Sequence, residues 1–433
     1  MRVATRRPLL AMAALAALGL GACVDDGAVV NPAVPPAGGA LFTRYVSLGN
    51  SITAGFQSAG IADSTQRNSY PNLLARAAGT PFQQPLFARP GCPPLMTAPL
   101  VPSTAASTCA RVDGSLVPYP GNAAVPGVRI ADLFAIPAGQ ISQLYTLVTG
   151  GRTQIQAMTA AQPTFVSAWI GNNDALAAAL SGTLGPIAAG ADSNLTRLAP
   201  FQARVTEMAN AIKASGAQGA VIIGVVFADS AAPLLQPGAY FFLSRDAAGN
   251  FNGKPVNNNC SPVTGLGTPN PLSANMVSFQ IVSSALPEIN CDPATAPGGG
   301  AFLLDANERA VLGARIAAYN AALKAAADAN GWLYVNPMDI LRPELARVTS
   351  GRYNQVRKCQ LLPTATNAAQ FQTAVLNSCP VTGATAAPNF FGALISFDGV
   401  HPSTAAHVLV ARSLAGSINT KYGTSLNTGI DRT

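Results

Sequence analysis

Tyr45-Val-Ser-Leu-Gly-Asn-Ser-Ile-Thr-Ala-Gly55 starts as a strand and breaks into small and polar residues. Residues 43–48 are rich in β-formers, and the run stops at Gly49, as a strand does when it empties into a loop. In an α/β protein, a serine just past the carboxyl end of a strand stands where open sheets keep their ligands. Ser51 is therefore a candidate nucleophile. An ordinary turn accounts for the same residues, with Gly49 at positive φ and the Ser51 hydroxyl bonded to local backbone. The partners of Ser51 must therefore be sought elsewhere in the chain.

From residue 44 onward, apolar runs alternate with helix-like segments, the pattern of an α/β sheet. A first helix is expected over residues 69–78, with Ser69 as cap and Pro71 in the first turn. A second opens at Gly127 in Gly127-Val-Arg-Ile-Ala-Asp-Leu133, and residues 164–170 read as a strand followed by a helix over 200–215. Residues 220–227 are almost continuously apolar and β-branched, as in a parallel strand covered on both faces. A long Ala-rich helix over 304–329, a short strand over 332–335 and a closing helix over 403–422 complete the pattern. Two irregular stretches, about 228–300 and 342–391, are too long for ordinary loops and read as insertions over one end of the sheet.

The 433 residues are 49% hydrophobic and only 10% charged, enough to bury a large core. The net charge of +7 includes Arg2, Arg6 and Arg7 in an acid-free segment of 22 residues, so the remainder carries 7 − 3 = +4. No basic run is interleaved with aromatics, and nucleic-acid binding is not supported. Residues 1–22 have the make-up of an export signal: arginines, an apolar run over 9–20 too short to span a bilayer, then small residues. Leu20-Gly-Ala-Cys23 resembles the bacterial lipoprotein box, in which the signal is cut before the cysteine and the thiol is lipidated. The resemblance implies an exported lipoprotein held at a membrane, the outer membrane or cell surface, through Cys23. The Pro/Gly/Ala-rich residues 23–42 would serve as its tether.

Six further cysteines fall as three sequence-local couples: Cys92 with Cys109, Cys260 with Cys291, and Cys359 with Cys379. An even number in an exported chain favours disulfides, each stapling a long loop without its own core and stabilising it by roughly 3 kcal/mol on the chain-entropy model.

Only two histidines occur, His401 and His407, so base catalysis by imidazole has almost nowhere else to reside. His401 follows Asp398 by three residues in Ser396-Phe-Asp-Gly-Val-His-Pro-Ser403. On a tight turn that spacing brings the carboxylate to one ring nitrogen and leaves the other for a nucleophile. His407 lies inside the helix and reads as a packing or surface residue. Gly171-Asn-Asn-Asp174 follows the strand over 164–170, at the same sheet edge as Ser51, and offers an amide donor for a developing oxyanion; Gly127 offers a backbone N–H.

Together and in this order, these residues resemble the SGNH hydrolases, the GDSL lipase and esterase family. Gly49-Asn50-Ser51 with Gly55 matches its first block, Gly127 its second, Gly171-Asn172-Asn173-Asp174 its third and Asp398 to Pro402 its fifth. The resemblance implies a flavodoxin-like three-layer α/β/α sandwich over residues 43–424, with a mostly parallel five-stranded sheet and disulfide-stapled insertions, and a tail over 425–433. It implies a Ser51–His401–Asp398 triad, an oxyanion hole of Ser51, Gly127 and Asn173 rather than Asn172, an acyl-enzyme intermediate and an ester substrate such as a lipid, a short-chain ester or an acetylated sugar. No cofactor or metal is expected. The family usually has aspartate at the position of Asn50, which motivates an alternative: a cell-envelope binding lipoprotein that keeps the fold without turnover. The absence of Gly-x-Ser-x-Gly around Ser51 speaks against the nucleophile-elbow hydrolases.

Overall fold

The computed structural model describes residues 37–431 apart from 113, 115–116, 186–193, 228–230, 266, 347–390 and 392. The expected export signal, Cys23, most of the expected tether, Cys359, Cys379 and most of the second expected insertion lie outside the described residues.

Four strands, β1 (Tyr45–Gly49), β2 (Phe165–Trp169), β3 (Gly219–Ile223) and β4 (Leu333–Val335), form one sheet in that order, all parallel. Tyr45 lies opposite Phe165 and Gly49 opposite Trp169, so β1 and β2 end level. The expected fifth strand is reduced to one parallel bridge between Ser47 and Asn122 on the outer side of β1. Ser47 N–H donates to the Gly121 carbonyl at 2.7 Å and Ala123 N–H to the Ser47 carbonyl at 3.0 Å. Pro120 and Pro126 flank this segment and have no N–H with which to extend the ladder.

Every residue of β1, β2 and β3 is buried, and their alternation deals side chains to two cores. Val46, Leu48, Val166, Ala168, Ala220 and Ile222 pack with helices Gln154–Ala161, Leu198–Ala214 and Ala306–Ala329. Tyr45, Phe165, Trp169, Val221 and Ile223 pack with helices Tyr70–Ala78 and Thr404–Tyr422. The result is an α/β/α sandwich.

Local departures have physical causes. The helix expected from Gly127 is only a 3₁₀ turn over Ile130–Leu133, and the next helix is Gln140–Thr149. Pro137 stands between them and disfavours helical backbone at the residue before it. The strand expected over 220–227 stops at Ile223, because side-chain amides take over the backbone. Val225 exchanges two hydrogen bonds with the Asn320 amide, at 2.6 and 3.0 Å, and Val226 N–H donates to Asn172 Oδ1 at 3.0 Å. Ser69 holds the N-cap position of the helix Tyr70–Ala78 as expected, but its hydroxyl makes no capping bond and donates instead to the Gln66 carbonyl at 2.8 Å.

Two of the expected disulfides are present, Cys92–Cys109 and Cys260–Cys291, with Cα atoms 4.8 and 5.1 Å apart. The first insertion is not coreless, however. Strands Leu235–Pro237, Met276–Ser278 and Leu303–Leu304 form an antiparallel sheet, over which Tyr240, Phe241, Phe251, Phe279 and Ile289 are buried beside Cys260–Cys291. The packed chain begins before residue 43 and runs past 424: Phe42, Leu426 and Ile430 are buried in the second core, and Ser425 N–H donates to the Ala37 carbonyl at 3.0 Å.

Candidate active site

Past the end of β1 the chain turns at once into a one-turn helix, Ser51–Ala54. Asn50 caps it, its Oδ1 accepting from Ile52 N–H at 3.2 Å, and Gly55 closes it at φ 87°. Asn50 is 1% exposed, and its Nδ2 has no hydrogen-bond partner among the described residues. Gly49 is held by one side chain: Gln154 Oε1 accepts from its N–H at 2.9 Å and Gln154 Nε2 donates to its carbonyl at 2.8 Å. The glutamine amide thus pairs with the strand end as a neighbouring peptide group would. A Cβ at Gly49 would sit 2.2 Å from Thr53 Oγ1 and 2.6 Å from the Trp169 carbonyl, so only glycine fits between the strand end and the turn.

Ser51 Oγ lies 2.9 Å from His401 Nε2, and His401 Nδ1 lies 2.8 Å from Asp398 Oδ2. The three residues, 350 positions apart at the extremes, form one hydrogen-bonded line. Asp398 Oδ1 also accepts from the backbone N–H groups of Val400 and His401 and from the Ser396 hydroxyl, and Oδ2 from Ala59 N–H at 2.7 Å. Burial would raise the Asp398 carboxyl, but the charge of His401 and the hydrogen bonds from His401 and Ala59 outweigh it and hold it at about 2. The Phe56 ring packs 4.8 Å from the imidazole.

The Ala59 donor stands in a turn closed by reciprocal backbone bonds between Gln57 and Gly60. Its two central residues, Ser58 and Ala59, have φ of 52° and 53°. For non-glycine residues this region costs on the order of 1–3 kcal/mol each and persists only where surroundings over-determine it. Here Ser58 N–H donates to Ser396 Oγ at 2.8 Å, Ser58 Oγ accepts from Phe397 N–H at 3.2 Å, and Ala59 N–H holds Asp398. The strained turn therefore fixes the loop of the acid to the element of the serine.

The second histidine is a packing residue. His407 is fully buried, its Nδ1 accepts from Tyr70 N–H at 3.2 Å, and its ring lies near parallel to that of Tyr70. Burial, assisted by the charge of His401, pushes it down to about 3, so it stays neutral near neutral pH and takes no part in the hydrogen-bonded line.

Consecutive side chains after β2 grip the loop that follows Gly127. Asn173 Nδ2 donates to the Val128 carbonyl at 2.9 Å, and Asp174 Oδ2 accepts from Ile130 N–H at 2.9 Å. Burial pushes the Asp174 carboxyl up to about 6 against the pull of the Ile130 N–H. Gly127 itself is exposed at φ 85°. Asn173 lines a cavity with Ser51 and His401; Asn172 lines it too, with its Oδ1 engaged by Val226 N–H. Among the described residues, no group of three or more His, Cys, Asp or Glu side chains is placed to share a metal ion. Gln154, Ser58, Ala59 and Ser396 are the supporting residues that no motif announces; only the closeness of Ser396 to Asp398 in sequence points to one of them.

No family model matches the chain, and no curated protein matches it. Among solved structures it is similar to two mutants of Axe2, an acetylxylan or acetyl-xylooligosaccharide esterase from Geobacillus stearothermophilus. They show 14% and 13% identity with a TM-score of 0.31, covering 86% of this chain and 93% of that one. It is also similar to phospholipase A1 from Streptomyces albidoflavus NA297, with 13% identity and a TM-score of 0.24, over 77% of this chain and 98% of that one.

Proposed function

We propose that the chain is a serine carboxylic ester hydrolase of the SGNH kind, a lipase, esterase or acylhydrolase working through an acyl-enzyme. One observation carries this reading: Asp398, His401 and Ser51 form an unbroken hydrogen-bonded line whose serine end lines a cavity. As Ser51 Oγ attacks the acyl carbon, its proton passes to His401 Nε2 and the carbonyl π pair becomes an oxyanion. Asp398 accepts from Nδ1–H and balances the imidazolium. The oxyanion is met by the backbone N–H groups of Ser51 and Gly127 and by Asn173, whose amide has two N–H groups and gives one to Val128. Collapse expels the alkoxide, which takes the proton from His401. A water deprotonated by His401 then cleaves the acyl-enzyme, releasing the carboxylic acid and restoring Ser51. The binding alternative has no observation of its own, since Asn50 serves as a helix cap, a role asparagine fills as well as aspartate.

A fluorophosphonate probe should label the folded protein, and peptide mapping should place the adduct on Ser51, because reaction requires an activated serine in a reachable site. Absence of label on folded protein would turn the reading over to the binding lipoprotein.

The same proposal places the mature chain outside the cytoplasm, held at the envelope by lipidated Cys23 with the hydrolase domain beyond the tether. Cys23→Ala should move the protein from the membrane fraction to the soluble fraction, and intact mass of the membrane form should show an acylated N-terminal cysteine. An unmodified mature N-terminus would remove the anchor from the proposal.

A further inference from the structure

Two apolar spaces meet at His401. The first is the cavity lined by Ser51 and Asn173, which runs between the end of the sheet and the closing helix along Ile52, Trp169, Leu176, Val226, Leu394 and Val410. Among the described residues its polar side chains are Ser51, Asn172, Asn173, His401 and Trp169 with its indole N–H, and apart from His401 none of the described side chains lining it is ionisable. The second is a groove that also reaches His401, lined by Phe56, Met96, Leu100, Leu234, Phe279 and Val282, with Asn252, Gln280 and Ser283 among its polar residues. Leu176, Val400 and His401 border both spaces, whereas Ser51 borders only the first.

The groove is a built part of the site. Its walls come from the loop stapled by Cys92–Cys109 and from the first insertion. Both walls are tied by backbone to the segments that carry the acid and the base. Leu100 N–H donates to the Phe397 carbonyl at 2.9 Å, Leu234 N–H to the Gly399 carbonyl at 2.9 Å, and Met96 N–H to the Ser58 carbonyl at 2.7 Å. Asp398, the one carboxylate among the described residues lining the groove, has both oxygens taken up by the bonds described above.

We propose that these spaces hold the two halves of one substrate: a fatty acyl group of medium or longer chain in the cavity, and a largely apolar alcohol in the groove. This rests on the reading of Ser51 as nucleophile and His401 as base. The acyl group stays bonded to Ser51 Oγ through the reaction, so it occupies the space that Ser51 borders. The leaving oxygen takes its proton from His401, so the group it carries lies in the space that His401 borders without Ser51. An acetyl group would leave the row from Ile52 to Val410 uncovered. A sugar alcohol would bring several hydroxyls to a groove where Asn252, Gln280 and Ser283 are few among Phe, Leu, Met and Val, and hydroxyls buried without partners are disfavoured.

Two ester series test the halves separately on wild-type protein. With p-nitrophenol as leaving group, kcat/KM should rise at least tenfold from acetate to octanoate, since each fully buried methylene contributes up to about fourfold. With butyrate as acyl group, it should rise at least fivefold from the ethyl to the hexyl ester, and Val282→Asp should lower that hexyl-to-ethyl ratio at least fivefold. A flat or acetate-favouring first series would overturn the acyl assignment. A flat second series, or a ratio indifferent to Val282→Asp in protein that still melts cooperatively, would overturn the groove. Fluorophosphonate labelling of the same preparation separates the causes: label with flat series counts against the two-sided site alone, whereas no label removes the hydrolase reading and this inference with it.

Discussion

Ser51→Ala should reduce hydrolysis of p-nitrophenyl butyrate on the order of a million-fold in kcat, the scale at which loss of the nucleophile registers in serine triad enzymes. The protein should stay folded. Among the described residues Ser51 Oγ hydrogen-bonds to one partner, His401 Nε2, and losing such a bond costs about 0.5–1.5 kcal/mol. The backbone of the turn is held independently by Asn50, Gly55 and the Gln154 grip on Gly49. The measurement pairs the turnover rate with a thermal melt. A rate within tenfold of wild type would remove Ser51 from the chemistry, while a rate at background with an unchanged melt is the expected result.

Asp398→Asn should cost on the order of 10⁴-fold in kcat, because the side chain then fixes the wrong imidazole tautomer. All five groups facing the carboxylate are donors: the N–H groups of Ala59, Val400 and His401, the Ser396 hydroxyl and His401 Nδ1–H. An amide nitrogen placed at either oxygen position confronts donors on both sides. Its least unfavourable orientation gives an N–H to Nδ1, which puts the ring proton on Nε2 and leaves it unable to accept from Ser51. A buried donor left over at Ala59 or elsewhere costs a further 1–3 kcal/mol or so of stability. The pH dependence follows from the same contacts. The folded carboxyl is held at about 2 against an ordinary value of 3.8. Its contribution to stability is therefore full above the ordinary value and is lost as pH falls toward 2. The acid-side loss of stability between pH 4 and 2 should accordingly be shallower in the variant, measured by urea unfolding at each pH. A loss of less than tenfold in kcat, with cooperative unfolding retained, would assign the orienting role elsewhere.

What the sequence made legible was whatever rests on local order. The end of β1, the three-residue step from Asp398 to His401 and the Asn-Asn-Asp after β2 each bring their groups together through neighbours in the chain. The β-branched run at 220–227 announced a covered strand, but its true end at Ile223 depends on Asn320, about a hundred positions away. Gln154, Ser58 and Ser396 act through side-chain bonds to distant backbone, and in a sequence such polar residues look like any solvated ones. The core of the first insertion was missed for a different reason. Its strands are two or three residues long, too short for an alternation to register, and Tyr240, Phe251 and Phe279 are spread through Gly- and Asn-rich chain.

The strained turn at Ser58 and Ala59 has a thermodynamic consequence. It bonds at once to Ser396, Phe397, Asp398 and Met96, while the turn it holds bonds to Leu100 and Leu234. Local opening at any one of these points exposes backbone groups at the others, so the stapled loop, the edge of the insertion and the acid behave as a single cooperative unit. In such a unit the recess beside His401 is preorganised. A ligand entering it finds walls already immobilised, and the entropy of ordering them, about 0.5–1.5 kcal/mol for each rotamer-rich side chain, is spent during folding rather than at binding.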